Sequence, residues 1–544
     1  MRFAALTGVV GLSLTTALSA APPPPPTKPA PAKPAAVKPA PTKPAPAAPL
    51  SPDRQVLLLL AQLGSPDYAV RDKAALAIEE LPASALPAIE AALAKGELSP
   101  EVAVRLAEKV SYVRRKSDAT KYETMLRDYY VWDRDTALAA YTGGGHTNPK
   151  WDAAAREAIV LHVRPRRDPN ISPHDVGRIV AAMKKAIDLG CDDPLVRMWH
   201  AIRAFELLKP DADPKPLIAE ARAAAEGVAA GAYPAYLRME AAYRHADIVV
   251  RYDKPTPENK KAVTADFDIV FSQVGPALKE GAPRHAIMSV VTPAKSLLSA
   301  LENASLSRAH DRAMKAMAPA IKGTMIQHFL EADFRISGGY FVRNSKPVAG
   351  RPPEEKEKLL AKTVGQAKAA VDAGLKLDPD DSDAVNRMLR FLCLTRAPAD
   401  EFDKWFDRAM KLYPNDLVAC QMKHTYLQEN GTVEQRLAFG RECLAGGNWG
   451  SRIPLILCDV HAQLGSDPRD AEVWADLTAA YEGYFKRFPN ANADRSAYCY
   501  SACLADQWRV ARTQFDALGD HLVWTFFNSQ QQLDEYRKRA KAAR

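Results

Sequence analysis

Beyond Leu50 the apolar residues of this chain recur at intervals of 3 or 4. That spacing gathers them on one face of a helix and excludes the strict alternation a half-buried strand requires. Leu195, Met198, Ile202 and Phe205 fall on one stripe. So do Phe402, Phe406, Ala409 and Tyr413, and later Trp474, Leu477, Tyr481, Tyr484 and Phe488. Asp378-Pro379-Asp380-Asp381, Tyr413-Pro414-Asn415 and Phe488-Pro489-Asn490 interrupt the stripes with residues that stop one helix and start the next. The expected fold is all-α, an α-solenoid of stacked helix pairs, with Trp132, Trp151 and Trp199 as core anchors of its middle.

Two periodicities divide the chain. Ser65-Pro66-Asp67-Tyr68-Ala69-Val70-Arg71 and Ser99-Pro100-Glu101-Val102-Ala103-Val104-Arg105 place their arginines 34 residues apart, each ahead of an apolar helix. With Leu86-Pro87-Ala88-Ile89-Glu90-Ala91-Ala92-Leu93 between them, this stretch resembles HEAT-like repeats. Toward the other end, Pro379 and Pro414 stand 35 residues apart and Pro489 lies 75 further on. Each follows a helix and precedes Asp or Asn, the punctuation of tetratricopeptide (TPR) repeats. The stretch 334–518 also resembles uncharacterised bacterial TPR-like proteins that carry a domain of unknown function. Leu377-Asp378-Pro379, Trp405-Phe406-Asp407-Arg408-Ala409, Arg436-Leu437-Ala438-Phe439-Gly440-Arg441-Glu442-Cys443, Ile453-Pro454, His461 and Val473-Trp474 carry that likeness. Asn430-Gly431 departs from it, standing where a Pro/Trp-rich turn is expected. The resemblance implies a fold and no activity. The expected organisation is 1–20 signal peptide, 21–50 spacer, 51–116 HEAT-like, 117–335 helical middle region and 336–544 TPR-like.

The amino-terminal segment reads differently. Met1-Arg2, an apolar stretch to Leu18 and small residues at Ala17-Leu18-Ser19 have the layout of a secretory signal peptide. Thirteen of the 42 prolines then lie between Pro22 and Pro49, seven of them in a five-residue repeat of Lys-Pro-Ala type over Thr27–Pro46. Such a segment favours polyproline II form and spans roughly 85–90 Å at about 3.1 Å per residue. It resembles the spacers of bacterial envelope proteins. Lys28, Lys33, Lys38 and Lys43 offer a contact to an anionic cell wall. With Arg2 they supply five of the net +8, leaving +3 over residues 51–544. A body so near neutrality gives no case for nucleic acid, and a membrane contact is expected only with the signal uncleaved.

No catalytic constellation emerges. Gly143-Gly144-Gly145-His146 lacks the strand before it and the Lys-Ser/Thr after it that a phosphate loop needs, and reads as a connection between helices. His328 and Glu331 share a helical face without a third metal ligand. Gly-x-Ser-x-Gly and dinucleotide-binding fingerprints are absent. Cys393, Cys420, Cys443 and Cys458 sit in apolar helical settings as small hydrophobes, and Cys499 and Cys503, four apart on one helix, suit a disulfide poorly. No metal, cofactor or catalytic residue is therefore assigned. The stretch 337–353, with Gly338-Gly339 and three prolines, reads as the one long break in the second half. Tyr340 and Phe341 are its candidate partner anchors, with Arg343 to pair a carboxylate.

These features lead to an expected function: a non-catalytic scaffold, exported to the periplasm or cell envelope of a bacterium, that binds protein or peptide partners. An envelope hydrolase acting on glycan or peptide through carboxylates distant in sequence is the first alternative. A structural tether near the cell wall is the second.

Overall fold

The computed structural model describes residues 52–65, 70–71, 74, 77–78, 81, 85–95, 98–99, 102, 106, 121–163, 173–208, 212–253, 256–302, 306–345, 353–489, 491–519, 522–523, 526–527 and 529–543. The export signal (1–20), the spacer (21–50) with Lys28, Lys33, Lys38 and Lys43, and Arg105 lie outside them. The chain divides into two compact units, with the boundary between residues 120 and 121.

In the first unit, α1 (Pro52–Leu63) and α2 (Leu86–Ala94) pack together. Val56, Leu59, Leu60 and Leu63 meet Ile78, Leu81, Ala85 and Ile89 in a small core that also takes in Val102 and Leu106. Two local bonds flank the Ser-Pro positions. Ser99 Oγ accepts from Val102 N at 3.4 Å, and Arg71 donates to the Ser65 carbonyl at 2.7 Å.

The second unit is built of helices alone among the described residues. It opens with α3 (Lys121–Gly143), α4 (Asp152–Val163), α5 (Pro173–Asp188), α6 (Pro194–Glu206) and α7 (Lys215–Ala230). Next come α8 (Ala235–Tyr252), α9 (Pro257–Ser272), α10 (Val274–Lys279), α11 (Arg284–Glu302) and α12 (Leu306–Ile321). The second half runs through α13 (Met325–Asn344), α14 (Pro353–Leu377), α15 (Ser382–Thr395), α16 (Ala399–Leu412), α17 (Leu417–Asn430) and α18 (Val433–Ala445). It ends with α19 (Ile456–Leu464), α20 (Ala471–Arg487), α21 (Asn492–Leu504), α22 (Trp508–Leu518) and α23 (Gln530–Ala542).

Helices pack on their neighbours in the chain and on helices two or three places away, and the fold is a solenoid-like array of helices. In the second half α15 pairs with α16 and α17 with α18, while α15 also packs on α17 and α17 on α19. The expected stripes are the buried faces: Leu195, Met198, Ile202 and Phe205 line one core, and Phe402, Phe406 and Ala409 line the next. Of the three tryptophans expected as core anchors, Trp199 is fully buried, whereas Trp132 and Trp151 lie half-buried at the rim.

One device recurs at the helix starts. Asp193 caps α6, its Oδ1 accepting from Val196 N at 2.9 Å, while Oδ2 accepts from the Tyr233 hydroxyl at 2.8 Å. Asp381 caps α15 with Oδ1 on Ala384 N at 3.0 Å and takes Arg284 Nη2 on Oδ2 at 2.7 Å. Asp416 caps α17 with Oδ1 on Ala419 N at 3.0 Å and takes Asn386 Nδ2 on Oδ2 at 2.8 Å. One oxygen ends a helix and the other ties it to a different element. Burial pushes the Asp193 and Asp416 carboxyls above their ordinary value, opposed by the bonds they accept.

Asp416→Ala removes the cap and leaves the buried Asn386 amide without its acceptor, an expected loss of about 2–4 kcal/mol. Asp416→Asn keeps a capping oxygen, and its amide can serve Asn386 Oδ1, which is buried without a partner. It should stay within about 1 kcal/mol of the parent by urea unfolding.

Candidate functional site

The stretch expected to open a long break at residue 337 is helical as far as Asn344. The glycines there serve packing, and this corrects the loop reading. A Cβ on Gly339 would stand 2.6 Å from Leu394 Cδ2, so the residue lets α13 approach α15 closely. Tyr340, Phe341 and Arg343 consequently occupy the last turns of α13, and residues 346–352 of the expected break lie outside the described ones.

These three residues are not equivalent. Arg343 is already spent inside the molecule. Its Nη1 donates to the Cys393 and Leu394 carbonyls at 3.2 and 2.9 Å, and its Nη2 pairs with Glu429 at 2.7 Å. Its guanidinium also lies 4.8 Å from the centre of the half-buried Tyr340 ring. Phe341 alone faces outward, 73% exposed and the most open large apolar side chain described. Lys356 Nζ donates to the Arg343 carbonyl, and Gly338 faces Thr363, so α13 and α14 run in opposite directions. That register brings Leu359, 51% exposed, level with Phe341. Two apolar side chains thus share one end of a helix pair whose base is clamped by Arg343.

The middle of α13 is anchored by a buried ionic crossing. Lys295 of α11, only 3% exposed, donates to the Leu330 carbonyl at 3.3 Å and to His310 Nδ1 at 3.4 Å. His310 Nε2 then carries the proton and donates to Glu331 Oε2 at 2.6 Å, while Arg335 holds the other Glu331 oxygen. The imidazole stacks on Phe334 with ring centres 4.0 Å apart. Burial lowers Lys295 to about 8 against the pull of Asp333 and Glu331, and it lowers His310 as well. Burial would raise Glu331, but the His310 and Arg335 bonds hold it at about 2. Beside this relay, Asp333 takes Arg387 at 2.8 Å and Arg390 at 2.9 Å, and Asp383 takes His285 at 2.9 Å. The arrangement shields an amine and an imidazole from water, and its chemistry is pairing. His328, expected to face Glu331, makes no bond to it; His310, 21 residues away, takes that place.

A second knot lies between α19 and α21. Arg452 donates to Asp494 Oδ1 at 2.8 Å, with Asp459, Cys458 and Tyr481 around it. Burial pushes Asp459 up to about 6, the Asp494 charge adding to the effect and Arg452 opposing it. Two open clefts complete the picture. One, of about 440 Å³, is bordered by Lys184, Asp188, Arg197, His200 and Glu220, with His200 bonded to Glu220 at 3.1 Å. The other, of about 410 Å³, is bordered by Trp132, Tyr233, Pro234, Tyr236 and Glu280. All seven cysteines are free and buried. Among the described residues, no three His, Cys, Asp or Glu side chains gather as a metal site.

Asp459 supplies a pH test. Its folded-state value lies above the ordinary 3.8, so the folded chain binds the extra proton between pH 4 and 6 and loses stability as pH rises through that window. Asp459→Asn should therefore stabilise the chain at pH 7.5 by about 1–3 kcal/mol. In urea unfolding the advantage should shrink through pH 6 and disappear near pH 4.

No protein-family model and no curated protein matches this chain, so the functional reading rests on its own residues.

Proposed function

We propose that this protein is a non-catalytic helical-repeat scaffold, exported to the bacterial cell envelope, that binds protein or peptide partners. The array of helix pairs supports the repeat reading, HEAT-like over 51–116 and TPR-like over 336–544. In such arrays binding comes from side chains presented along a stack, with no need for a deep pocket. The layout of residues 1–20 and the proline-rich spacer support export.

The observation that carries the binding reading is Phe341, 73% exposed on a helix end that Arg343 holds in place. An aromatic side chain held on a rigid base loses little freedom on contact, which is how a few anchors come to dominate an interface. Leu359 beside it widens the apolar surface. Arg343 belongs to the base of this site, since its charge is matched by Glu429.

The full chain should capture a reproducible protein partner from the native envelope fraction. Phe341→Ala should weaken capture about tenfold or more with the melting curve unchanged, as loss of an anchor predicts. Arg343→Ala should lower the melting temperature. A partner retained equally by Phe341→Ala moves the site elsewhere on the array, and a chain that captures none contradicts the scaffold reading.

A further inference from the structure

Two basic side chains face each other in the interior with one proton between them. Lys295 of α11 and His310 of α12 are 3% and 2% exposed, and Lys295 Nζ approaches His310 Nδ1 at 3.4 Å. Nε2 of the same ring donates to Glu331 Oε2 at 2.6 Å, so Nδ1 is the acceptor and the imidazole is neutral. Phe334 closes the site. The His310 ring stacks on it, and Lys295 Nζ and the Arg335 guanidinium stand 5.8 and 4.9 Å from its centre.

The charges around this pair leave no counter-ion for another proton. Helix α13 contributes Glu331, Asp333 and Arg335, and α15 contributes Asp383, Arg387 and Arg390. At the start of α11, Arg284 is matched by Asp381 at 2.7 Å, and His285 bonds to Asp383 at 2.9 Å. Lys295, Arg335, Arg387 and Arg390 therefore already outnumber Glu331, Asp333 and Asp383. Of the other helices packed on α12, α9 offers Asp268, which Arg312 of α12 takes, and α10 ends in the exposed Lys279. Arg308, Asp311 and Lys315 of α12 itself are exposed.

We propose that His310 is a proton-released pin between the two halves of the helical array: mild acid adds a second proton to the Lys295–His310 contact and frees α11 and α12 from α13. The step is one proton onto Nδ1. It turns the acceptor into a donor and sets an ammonium and an imidazolium 3.4 Å apart, with only the Leu330 carbonyl left to Lys295. Ile326 and Leu330 of α13 belong to one core and Ala332 and Ile336 to the next, so a break at this contact parts the two. Burial holds His310 below its ordinary 6.5, so the closed chain refuses a proton that the opened chain accepts, and closure weakens as pH falls through that value. Lys295, at about 8, stays charged and Glu331, at about 2, stays ionised through this window. A proton on His285 strengthens its bond to Asp383, which is the opposite sign.

The test is amide hydrogen exchange of the full chain, read by mass spectrometry and corrected for the intrinsic pH dependence of exchange. Peptides of α11 and α12 should keep constant protection above pH 7 and lose about tenfold per pH unit below 6.5, the slope of one proton. His310→Gln carries a carbonyl to accept from Lys295 and an amide to donate to Glu331, with no proton to gain. It should keep the protection seen at pH 7.5 and lose the acid response. Lys295→Met removes the facing charge at similar volume and should flatten the response as well. His285→Gln should respond as the parent does. Wild-type protection that stays constant from pH 7.5 to 5 overturns the proposal. An acid response that His310→Gln and Lys295→Met retain, or one that His285→Gln abolishes, overturns it equally.

Discussion

The second oxygen of Asp193, Asp381 and Asp416 is the contact on which the order of the helices rests. The first oxygen caps a helix and would do so in isolation. The second is held away from water and needs a donor from elsewhere, because a buried oxygen without one costs about 1–3 kcal/mol. Tyr233, Arg284 and Asn386 meet that need from other helices or turns, at 2.8, 2.7 and 2.8 Å. Apolar stripes allow one helix to slide on another with little loss, as ridges repeat every turn. A carboxylate with one correct donor does not, and it sets the register that the oily contacts leave loose.

Helix α13 extends the same logic to charge. Ile326 and Leu330 belong to the core of the first half, whereas Ala332 and Ile336 belong to that of the second. The helix is a wall shared by two cores. The ionic crossing sits where those cores meet, and it binds α11 and α12 to one side of α13 and α15 to the other. Burying Lys295, Asp333 and Arg387 costs more than apolar residues of similar size would. What the crossing provides is specificity: each charge has its partner in one arrangement of four helices and loses it in any other.

Much of this architecture is legible in the sequence. The stripes of 3 and 4 mark the buried faces, and the Pro-Asp and Pro-Asn turns mark the joints, because both are local consequences of helix geometry. Asp381 and Asp416 are readable as caps. Their second partners are not, since Arg284 lies 97 residues from Asp381 and no spacing rule reaches so far. Gly338-Gly339 shows how a local signal misleads. A glycine pair marks a chain break or a close helix contact, and only the position of Leu394 decides between them. At the end of α13 the sequence singles out Tyr340, Phe341 and Arg343, but what Arg343 does there depends on Glu429 and the Cys393 and Leu394 carbonyls across the fold. Cys420 and Cys443, read as small hydrophobes, are indeed buried members of the second core.

A wall shared by two cores has a mechanical consequence. Beyond α18, smaller cores follow in turn, one around Tyr484 and Tyr498 and a last one around Ala502 and Ala511. Tension applied at the carboxyl end would peel these away helix pair by helix pair, each step releasing a short length of chain against modest resistance. At α13 the sawtooth should stop. Removing that helix strips two cores and breaks the ionic crossing at once, so the molecule has a built-in stop where piecemeal unravelling becomes a single large rupture.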